Sequence, residues 1–344
     1  MANIRINGTA GNDRYDESYY DTETIFTYGG NDVVNLWVND DYAGGQYVDT
    51  GEGNDTVYQS FNGYGEFYLG NGNDTFVSEG DGWTYGNYVD AGAGNDVLAF
   101  DTQHSTYLGG EGTDTFISTS FSNRMNGGNG IDLVSYEATD NGVKIDLLND
   151  VAGDFGDFTL DERIFNIENA RGSNFNDAIA GDNFNNILEG IGGNDTLWGQ
   201  GGNDVLRGGA GNDALAAGLG NDRIVGQAGI DDMWGEAGLD TFVFAAVTDT
   251  GKTAATRDWI GDFVHGQDKI DVSFMDANIK ANMAGNQAFT FIGASAFTTA
   301  GGQLHTDTVG TNTIVSGDIN GDRVVDFQIE LQGNIALSAA DFIL

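Results

Sequence analysis

A nine-residue repeat occupies residues 172–243 and constrains the fold of this chain more than any other feature. In each of eight repeats an acidic residue or asparagine is followed two positions later by an apolar residue, and glycine stands two positions before it in six repeats. The marker residues are Asp177, Asn186, Asp195, Asp204, Asp213, Asp222, Asp231 and Asp240, and the apolar residues are Ile179, Leu188, Leu197, Leu206, Leu215, Ile224, Met233 and Phe242. Nine residues accommodate a short strand and a turn of about six residues, in which glycine supplies positive φ. The repeat predicts an all-β fold, a right-handed parallel β-roll or β-solenoid in which two repeats complete one coil.

A longer version of the same repeat fills residues 1–136. Its glycine–aspartate turns end at Asp55, Asp74, Asp96, Asp114 and Asp132, with looser copies at Asp13 and Asp32, and successive spacings are 19, 23, 19, 22, 18 and 18 residues. Because eighteen residues equal two nonapeptides, we interpret each unit as one full coil. One edge of this array would keep the glycine–aspartate turn, and the opposite edge would carry a variable insertion.

Carboxylates at one fixed position of stacked coils would repel one another. Coils stack about 4.8 Å apart, and two carboxylates about 4 Å apart repel by up to ~4 kcal/mol at an effective dielectric constant near 20. The chain already carries 53 acidic against 13 basic side chains, a net charge of −40. A calcium ion between adjacent turns reverses the sign of this interaction, because it takes about six to eight oxygen ligands from carboxylates and backbone carbonyls.

The repeats therefore predict calcium in the turns, about eight to eleven ions in all. The predicted ligands are Asp32, Asp55, Asp74, Asp96, Asp114 and Asp132 along one edge of the first array, and Asp177, Asp195, Asp204, Asp213, Asp222, Asp231 and Asp240 along the two edges of the second. Without calcium, self-repulsion would keep the chain expanded, so we expect folding to be coupled to calcium binding.

A second metal candidate lies at Asp318, Asn320, Asp322 and Asp326. Their spacing places oxygen side chains at positions 1, 3, 5 and 9, as in the first part of an EF-hand loop. The twelfth position is Ile329 instead of glutamate, and the alternating residues that follow favour a β-hairpin turn. Both interpretations, a calcium loop and a simple turn, remain open from the sequence.

The nonapeptides resemble the calcium-binding repeats of RTX proteins, which Gram-negative bacteria secrete. The last hundred residues resemble the terminal domain of serralysin-type secreted proteases, through Asp240-Thr241-Phe242-Val243-Phe244, Ile260-Gly261-Asp262-Phe263-Val264, Gly266-Gln267-Asp268-Lys269-Ile270-Asp271 and the ending Asp341-Phe342-Ile343-Leu344. The resemblance implies export by a type I secretion machinery through an uncleaved C-terminal signal, and hence an extracellular or cell-surface location. It agrees with an N-terminus that lacks the apolar core of a secretory signal peptide.

The expected domain organisation follows from the two arrays. Residues 1–136 would form a long-coil solenoid with one calcium edge, and residues 137–171 a connector. Residues 172–243 would form the nonapeptide β-roll, and residues 244–344 a small serralysin-like C-terminal β domain.

Composition and missing motifs exclude several functional classes. The chain has no cysteine, which rules out disulfides and thiol chemistry, and its negative charge disfavours nucleic acid and anionic lipid as partners. No apolar run reaches the length of a membrane-spanning helix. The zinc-protease motif HExxH is absent, as are GxSxG and the P-loop, and His104, His265 and His305 are isolated in the sequence.

Aromatic residues concentrate in the first array, since twelve of the 13 tyrosines fall within residues 1–107. Many belong to the variable edge: Tyr42, Tyr47, Tyr58, Phe61, Tyr64, Phe67, Tyr68, Trp83, Tyr85 and Tyr88. Inward packing explains some of them. An exposed aromatic ladder along a solenoid could also stack on sugar rings or pair with another copy of the chain.

For function, the sequence favours a secreted, non-enzymatic, calcium-binding structural protein: an adhesin, a biofilm-matrix component or a surface-layer component. Open solenoid ends and an aromatic face provide routes to self-assembly. The alternative is a calcium-dependent protein that binds exopolysaccharide or a cell-surface glycan. A polysaccharide lyase or epimerase is disfavoured, because such enzymes need basic residues to neutralise uronate carboxylates and this chain has few.

Overall fold

The computed structural model describes residues 4–17, 23–37, 45–60, 64–79, 86–154, 162–277 and 287–344. The chain forms two compact units, Met1–Ser173 and Asn174–Leu344. The predicted divisions at residues 136, 171 and 243 stay predictions. No helix in the described ranges is long and apolar enough to cross a membrane.

The first unit is built almost entirely from short strands. They are β1 (Ile4–Asn7), β2 (Arg14–Glu17), β3 (Glu23–Phe26), β4 (Val33–Trp37), β5 (Gln46–Asp49), β6 (Thr56–Ser60), β7 (Gly65–Tyr68), β8 (Thr75–Ser78), β9 (Tyr88–Ala93), β10 (Val97–Phe100), β11 (Thr106–Gly112), β12 (Thr115–Ser118), β13 (Arg124–Gly130), β14 (Leu133–Ser135), β15 (Val143–Asp146), β16 (Val151–Asp154), β17 (Glu162–Phe165) and β18 (Asn169–Arg171).

The strands of the first unit alternate between two parallel sheets. Strands β1, β3, β5, β7, β9, β11, β13 and β17 pair in that order in one sheet. Strands β2, β4, β6, β8, β10, β12, β14 and β18 pair in the other. Each pair of successive strands thus forms one coil, with one strand in each sheet. The predicted parallel β-solenoid is confirmed.

The side chain two positions after each marker residue fills the space between the sheets. Val34, Val57, Phe76, Leu98, Phe116 and Val134 are all 0% exposed, and each faces the next across paired strands. Alternate side chains of a β-strand point to opposite faces of the sheet. When one face is buried, the register between strands is fixed, because a one-residue slip would turn the apolar side chains to solvent. The first array therefore keeps, as its core, the apolar position that the nonapeptide repeat places two residues after each marker.

The two edges of the first unit differ in the length of their connections. Six residues join Phe26 to Val33, Asp49 to Thr56 and Tyr68 to Thr75, and these connections hold the glycine–aspartate turns. At the opposite edge, four residues separate Ser60 from Gly65 and nine separate Ser78 from Tyr88. Constant turns at one edge and variable connections at the other are what the repeat spacings predict.

The stretch predicted to be a connector contributes strands of its own. Strand β15 pairs antiparallel with β16, and β16 pairs antiparallel with β17. Strands β17 and β18 then pair in parallel with β13 and β14, so residues 162–171 form one further coil of the first unit.

The second unit contains β19 (Ala178–Ala180), β20 (Ile187–Gly192), β21 (Thr196–Trp198), β22 (Val205–Ala210), β23 (Ala214–Leu219), β24 (Arg223–Ala228), β25 (Asp232–Ala237), β26 (Thr241–Val243), β27 (Asp258–Ile260), β28 (Lys269–Asp271), β29 (Thr290–Phe291), β30 (Gln303–Val309), β31 (Asn312–Asp318), β32 (Phe327–Leu331) and β33 (Phe342–Ile343), with single 3₁₀ turns at Val247–Asp249 and Ala339–Asp341. One parallel sheet runs β19, β21, β23, β25, β27, β32, and the other β20, β22, β24, β26, β28, β33.

The C-terminal hundred residues continue the coils of the second unit. Strands β27 and β28 stack on β25 and β26, and β32 and β33 form the next layer. Among the described residues of this unit, β30 and β31 depart from the parallel pattern, as an antiparallel hairpin whose second strand pairs antiparallel with β32. All eight predicted apolar side chains of the nonapeptide array, from Ile179 to Phe242, are 0% exposed.

Candidate calcium-binding turns

The marker aspartates form vertical files in which one carboxylate oxygen has a backbone partner. In the first unit the N–H groups of Asp13, Asp32, Asp55, Asp74, Asp96 and Asp114 donate to Oδ1 of Asp32, Asp55, Asp74, Asp96, Asp114 and Asp132, over 2.7–2.9 Å. Each aspartate therefore caps the turn of the coil before it.

The second unit has two such files, one along each edge. One runs Asp177, Asp195, Asp213 and Asp231, and the other runs Asn186, Asp204, Asp222 and Asp240, with N–H to Oδ1 distances of 2.7–3.0 Å. The aspartates thus line one edge of the first array and both edges of the second, and calcium binding along these edges stays a prediction.

The other carboxylate oxygen, Oδ2, is buried without a hydrogen-bond partner among the described residues. This holds at Asp32, Asp55, Asp74, Asp96, Asp114, Asp132, Asp195, Asp204, Asp213, Asp222, Asp231 and Asp258. These side chains belong to residues that are at most 2% exposed. An unpaired buried charge costs several kcal/mol, so a file of them needs a counter-ion.

Burial raises the pKa of these carboxyl groups, and neighbouring carboxylates add to the effect at most of them. The pKa rises to about 8 at Asp195 and Asp258, and to about 7 at Asp204, Asp231 and Asp240. In the first unit it rises to about 7 at Asp74 and Asp96 and to about 6 at Asp132. Holding the ionised form inside the turns is thus unfavourable without a bound cation.

Turn glycines bring the backbones of adjacent coils into close contact. At Gly211, where φ is +142°, a Cβ atom would lie 1.5 Å from the carbonyl oxygen of Gly193 in the coil before. At Gly208 and Gly226 a Cβ would lie 2.2 Å from Oδ2 of the aspartate five residues later. Only glycine leaves room for the stacked carbonyls and the carboxylate oxygen at this edge.

The donor set of the turns fits calcium. Most turns offer a buried carboxylate oxygen without a partner among the described residues, together with stacked backbone carbonyls, and these are the hard oxygen ligands that calcium prefers. In the described ranges no three acidic or histidine side chains form a cluster that could hold a metal. Backbone carbonyls would therefore supply most of the ligands, and a bound ion would neutralise the aspartate of its turn.

The structure adds three acidic residues that the sequence pattern missed. Asp258 Oδ1 accepts the N–H of Asp231 at 3.0 Å, and Asp268 Oδ1 accepts that of Asp240 at 3.1 Å. In the first unit Glu168 Oε2 accepts the N–H of Asp132 at 2.8 Å. Glycine stands two positions before Asp268 but not before Asp258 or Glu168, and all three lie outside the regular spacing, so mainly the apolar strands beside them signalled that the coils continue.

A second file, of asparagines, runs beside the aspartates in the opposite direction. The N–H of Asn194 donates to Asn176 Oδ1, and that of Asn212 donates to Asn194 Oδ1, at 2.7 and 2.8 Å. The first unit repeats the pattern, for example between Asn73 N–H and Asn54 Oδ1. The recurrence of asparagine immediately before the marker aspartate was the sequence signal for this file.

The EF-hand-like loop is held together by its own side chains. Asp318 accepts the N–H groups of Gly321 and Arg323 at 2.6 and 3.0 Å, and Asp326 accepts that of Ile319 at 2.9 Å. Asn320 and Asp322 each accept an N–H two residues later. These turns form between β31 and β32, where a hairpin connection was one of the two expectations, and calcium binding here stays a prediction.

The aromatic residues of the variable edge divide into three groups. Phe67 is in the core, and Tyr58 and Tyr64 are 40% and 59% exposed. Tyr47, Tyr68 and Tyr88 are part-buried on the outside of one sheet. Tyr42, Phe61, Trp83 and Tyr85 lie outside the described residues.

Two of the three histidines contact carboxylates. His265 pairs with Asp341, and His305 pairs with Asp307 and with the carbonyl of Ser295.

Comparison with solved structures finds partial similarity to two subunits of the Azotobacter vinelandii mannuronan C5-epimerase. The AlgE6R3 subunit is 28% identical over 49% of this chain and 78% of its own, with a TM-score of 0.29. The AlgE6R2 subunit is 31% identical over 50% of this chain and 90% of its own, with a TM-score of 0.31. Comparison with curated proteins gives no match.

Family models match most of the chain. The RTX calcium-binding nonapeptide repeat (4 copies) matches residues 84–105 and 108–141, within the long-coil array. The peptidase M10 serralysin C-terminal model matches residues 125–344, well beyond the hundred residues that carried the resemblance. With RTX calcium-binding repeats in its first half and this match over the remainder, the chain belongs to the peptidase M10 serralysin C-terminal family.

Proposed function

We propose that this protein is a secreted, non-enzymatic structural component that folds on binding calcium outside the cell. The observation that carries the proposal is the set of buried Oδ2 atoms without partners, which recurs coil after coil in both units. The aspartate files and their turns account for much of the chain, and His265 and His305 are each engaged with a carboxylate.

Calcium would act as a folding switch in this proposal. A chain of net charge −40 repels itself, and each bound ion would remove two negative charges from the turns. Extracellular calcium modules bind at roughly 0.1–1 mM. The chain would therefore remain unfolded in a calcium-poor cytosol and fold after export.

The C-terminal residues support export before folding. Asp341 is fully buried, and Phe342 lies in β33, which pairs with β28. A type I secretion machinery would read Asp341–Leu344 as its signal only while the chain is unfolded. An adhesin, matrix or surface-layer role would then begin once calcium has ordered the coils.

The proposal is tested by light scattering of the calcium-depleted monomer while calcium is raised from micromolar to roughly 10 mM. We expect β structure to appear by circular dichroism, followed by growth of large assemblies that chelator reverses. Magnesium at the same concentrations is the control, because it demands octahedral geometry and dehydrates reluctantly. A chain that is already rich in β structure in excess chelator would contradict calcium-dependent folding, and a folded chain that stays monomeric would contradict the structural role.

A further inference from the structure

A row of aromatic rings crosses the outer face of the odd-numbered sheet in the first unit. Neighbouring ring centroids are 6.2 Å apart from Tyr28 to Phe26, 5.6 Å from Phe26 to Tyr47, 5.5 Å from Tyr47 to Tyr68 and 5.8 Å from Tyr68 to Tyr88. Tyr28 is half exposed and the others are part-exposed, whereas the residues beside them in sequence, such as Val48 and Phe67, are in the core. The rings therefore form a continuous strip across four strands.

Carboxylates occupy the positions between the rings. In the strand register Asp49 lies between Phe26 and Tyr68, and Glu66 lies between Tyr47 and Tyr88. Asp90 pairs with Tyr68 on its other side. Aromatic and acidic residues thus alternate in both directions on this surface, which we call the tyrosine–carboxylate face (Phe26, Tyr47, Tyr68, Tyr88, Asp49, Glu66 and Asp90).

The carboxylates of this face are available to accept hydrogen bonds from a ligand. Within the part of the chain that the structure describes, the side chains of Asp49, Glu66 and Asp90 make no hydrogen bond or ion pair with another side chain or with the backbone. Elsewhere on the first unit Asp16 pairs with Arg14 at 2.9 Å. Burial raises the pKa of Asp49 and Asp90, so the part-buried acceptors of this face are incompletely solvated.

We propose that the tyrosine–carboxylate face binds a neutral polysaccharide. Part-exposed aromatic rings offer apolar surface for the C–H faces of sugar rings, and carboxylates between them accept hydrogen bonds from sugar hydroxyls. A polyanion is disfavoured by three carboxylates on the face and by the net charge of −40. The regular repetition of ring and acceptor from coil to coil suits a repeating polymer better than a single small molecule.

The cationic residues near the face are already engaged with aromatic rings. Arg5 lies over Phe26, with its guanidinium carbon 4.7 Å from the ring centroid, and Arg124 lies over Phe165 at 4.2 Å. Arg124 lies opposite Arg163 in the pairing of β13 with β17, two strands beyond Tyr88, so these two cations stand beside the face and not between its rings. The chemistry of the surface therefore matches an uncharged glycan.

The test is affinity electrophoresis of the full chain in saturating calcium, through gels that contain a soluble neutral β-glucan, a neutral dextran or alginate. We expect a neutral polysaccharide to retard the chain, and Tyr68→Ala to weaken that retardation about three- to tenfold, as the loss of one aromatic contact implies. Tyr68→Phe keeps the ring and should retain most of the binding. Tyr58→Ala is the matched control, because Tyr58 is 40% exposed on the other sheet.

Each contrary outcome overturns the proposal. Retardation by alginate alone would show that the face binds an anionic polymer. An equal loss of retardation in Tyr58→Ala would show that the tyrosine–carboxylate face is not the binding site. Calcium-dependent dimerisation that Tyr68→Ala abolishes, without glycan retardation of the parent, would assign the face to a second copy. If Tyr68→Ala fails to fold by circular dichroism, Glu66→Ala replaces it, since Glu66 is exposed, and unchanged retardation in that variant would contradict the proposal.

The proposal rests on the calcium-folded chain but not on its assembly. A parent chain that folds in calcium and is not retarded by either neutral polysaccharide would overturn this inference and leave the proposed function intact. A chain that fails to fold in calcium would overturn both.

Discussion

At the scale of single residues, a marker aspartate such as Asp213 has two oxygens with separate roles. Oδ1 accepts a backbone N–H from the coil before it, as Asp213 does for Asp195 at 2.8 Å. Oδ2 is left buried and unpaired. The first contact is a structural cap within the stack of coils, and the second oxygen is the one that a calcium ion would bind.

Asp213→Ala removes both oxygens and should raise the calcium concentration at the folding midpoint. We expect the free energy of unfolding in calcium to fall by about 1–3 kcal/mol, since one buried N–H loses its charged acceptor. Circular dichroism during a calcium titration measures the midpoint. Asp140→Ala makes the same charge change at an exposed position, and an equal shift in that variant would refute a specific role for the turn.

Gly211→Ala tests the close approach of adjacent turns. Its φ of +142° and the 1.5 Å approach of a Cβ to Gly193 O should together cost more than about 3 kcal/mol. Gly201→Ala is the control, because no atom lies within 3.7 Å of its Cβ position, and we expect a change within about 0.5 kcal/mol. Urea unfolding in excess calcium gives both values. Similar stabilities for the two variants would contradict the stacking geometry.

The marker aspartates could be predicted from sequence because a nine-residue period fixes both their spacing and the buried residue that follows. Asp258, Asp268 and Glu168 could not, because the spacing between caps lengthens to 27, 28 and 36 residues there. Once insertions interrupt the period, only tertiary pairing shows which carboxylate continues a file. The orientation of Oδ1 and Oδ2 in each aspartate likewise depends on the stacking of coils, so it could not be predicted from the motif.

At the scale of structural elements, the coils continue where the motif ends. Strands β27 and β28 extend the sheets of the nonapeptide array, although the regular nine-residue spacing has ended and the connection between them keeps only Gly266-Gln267-Asp268. Their connection is also held by Asp262, which accepts the N–H groups of Gly235 and Glu236 at 3.0 and 2.8 Å. The sequence indicated a separate small β domain here because the period disappears, whereas hydrogen bonding between strands needs no period.

The stability of the last coil should depend on Asp341, which forms hydrogen bonds between the final segment and the turn after β27. Its carboxylate accepts N–H groups from Gly266 and Ser338 and contacts His265 Nδ1 at 2.9 Å. Asp341→Ala should destabilise the second unit by about 2–3 kcal/mol, because hydrogen bonds to a charged group are lost in a buried position.

Thermal unfolding in calcium measures the effect of Asp341→Ala, with Ile343→Ala as the neighbouring control at a residue that is 40% exposed. The hydrogen bonds to Asp341 lower its pKa, although burial opposes them. The stability that it contributes should therefore be present at neutral pH and be lost as pH falls through its folded pKa. A larger loss in Ile343→Ala would show that packing, and not the carboxylate, holds the segment.

At the scale of the whole molecule, we expect charge to control when the chain folds. A net charge of −40 is carried in part by carboxyl groups that the fold buries. Their pKa values, about 6 at Asp213 and about 8 at Asp195, are higher in the folded state than in an unfolded chain. Protons and calcium are therefore alternative ways to neutralise the same turns.

This competition gives opposite pH dependences with and without calcium. In calcium-free solution the raised pKa values stabilise the fold fully below about pH 4, and that stability is lost as pH rises through about 6–8. We expect more β structure at pH 4 than at pH 8 by circular dichroism. With calcium present, the midpoint concentration should fall as pH rises toward 8, because the ion requires the deprotonated carboxylate. Equal β content at both pH values in chelated samples would disprove the linkage.

The two edges of the first unit differ in how much sequence change they tolerate: the turns at one edge are fixed in length, and the connections at the other edge are variable. Six-residue turns set the pitch and the stacking at one edge, so their length cannot change without breaking a file. The opposite connections already vary from four to nine residues while the strands beside them keep their register. Lineages that carry this fold can therefore alter what the molecule presents by changing loop length and composition there, and foreign peptides inserted at that edge should leave calcium-driven assembly of the coils unaltered.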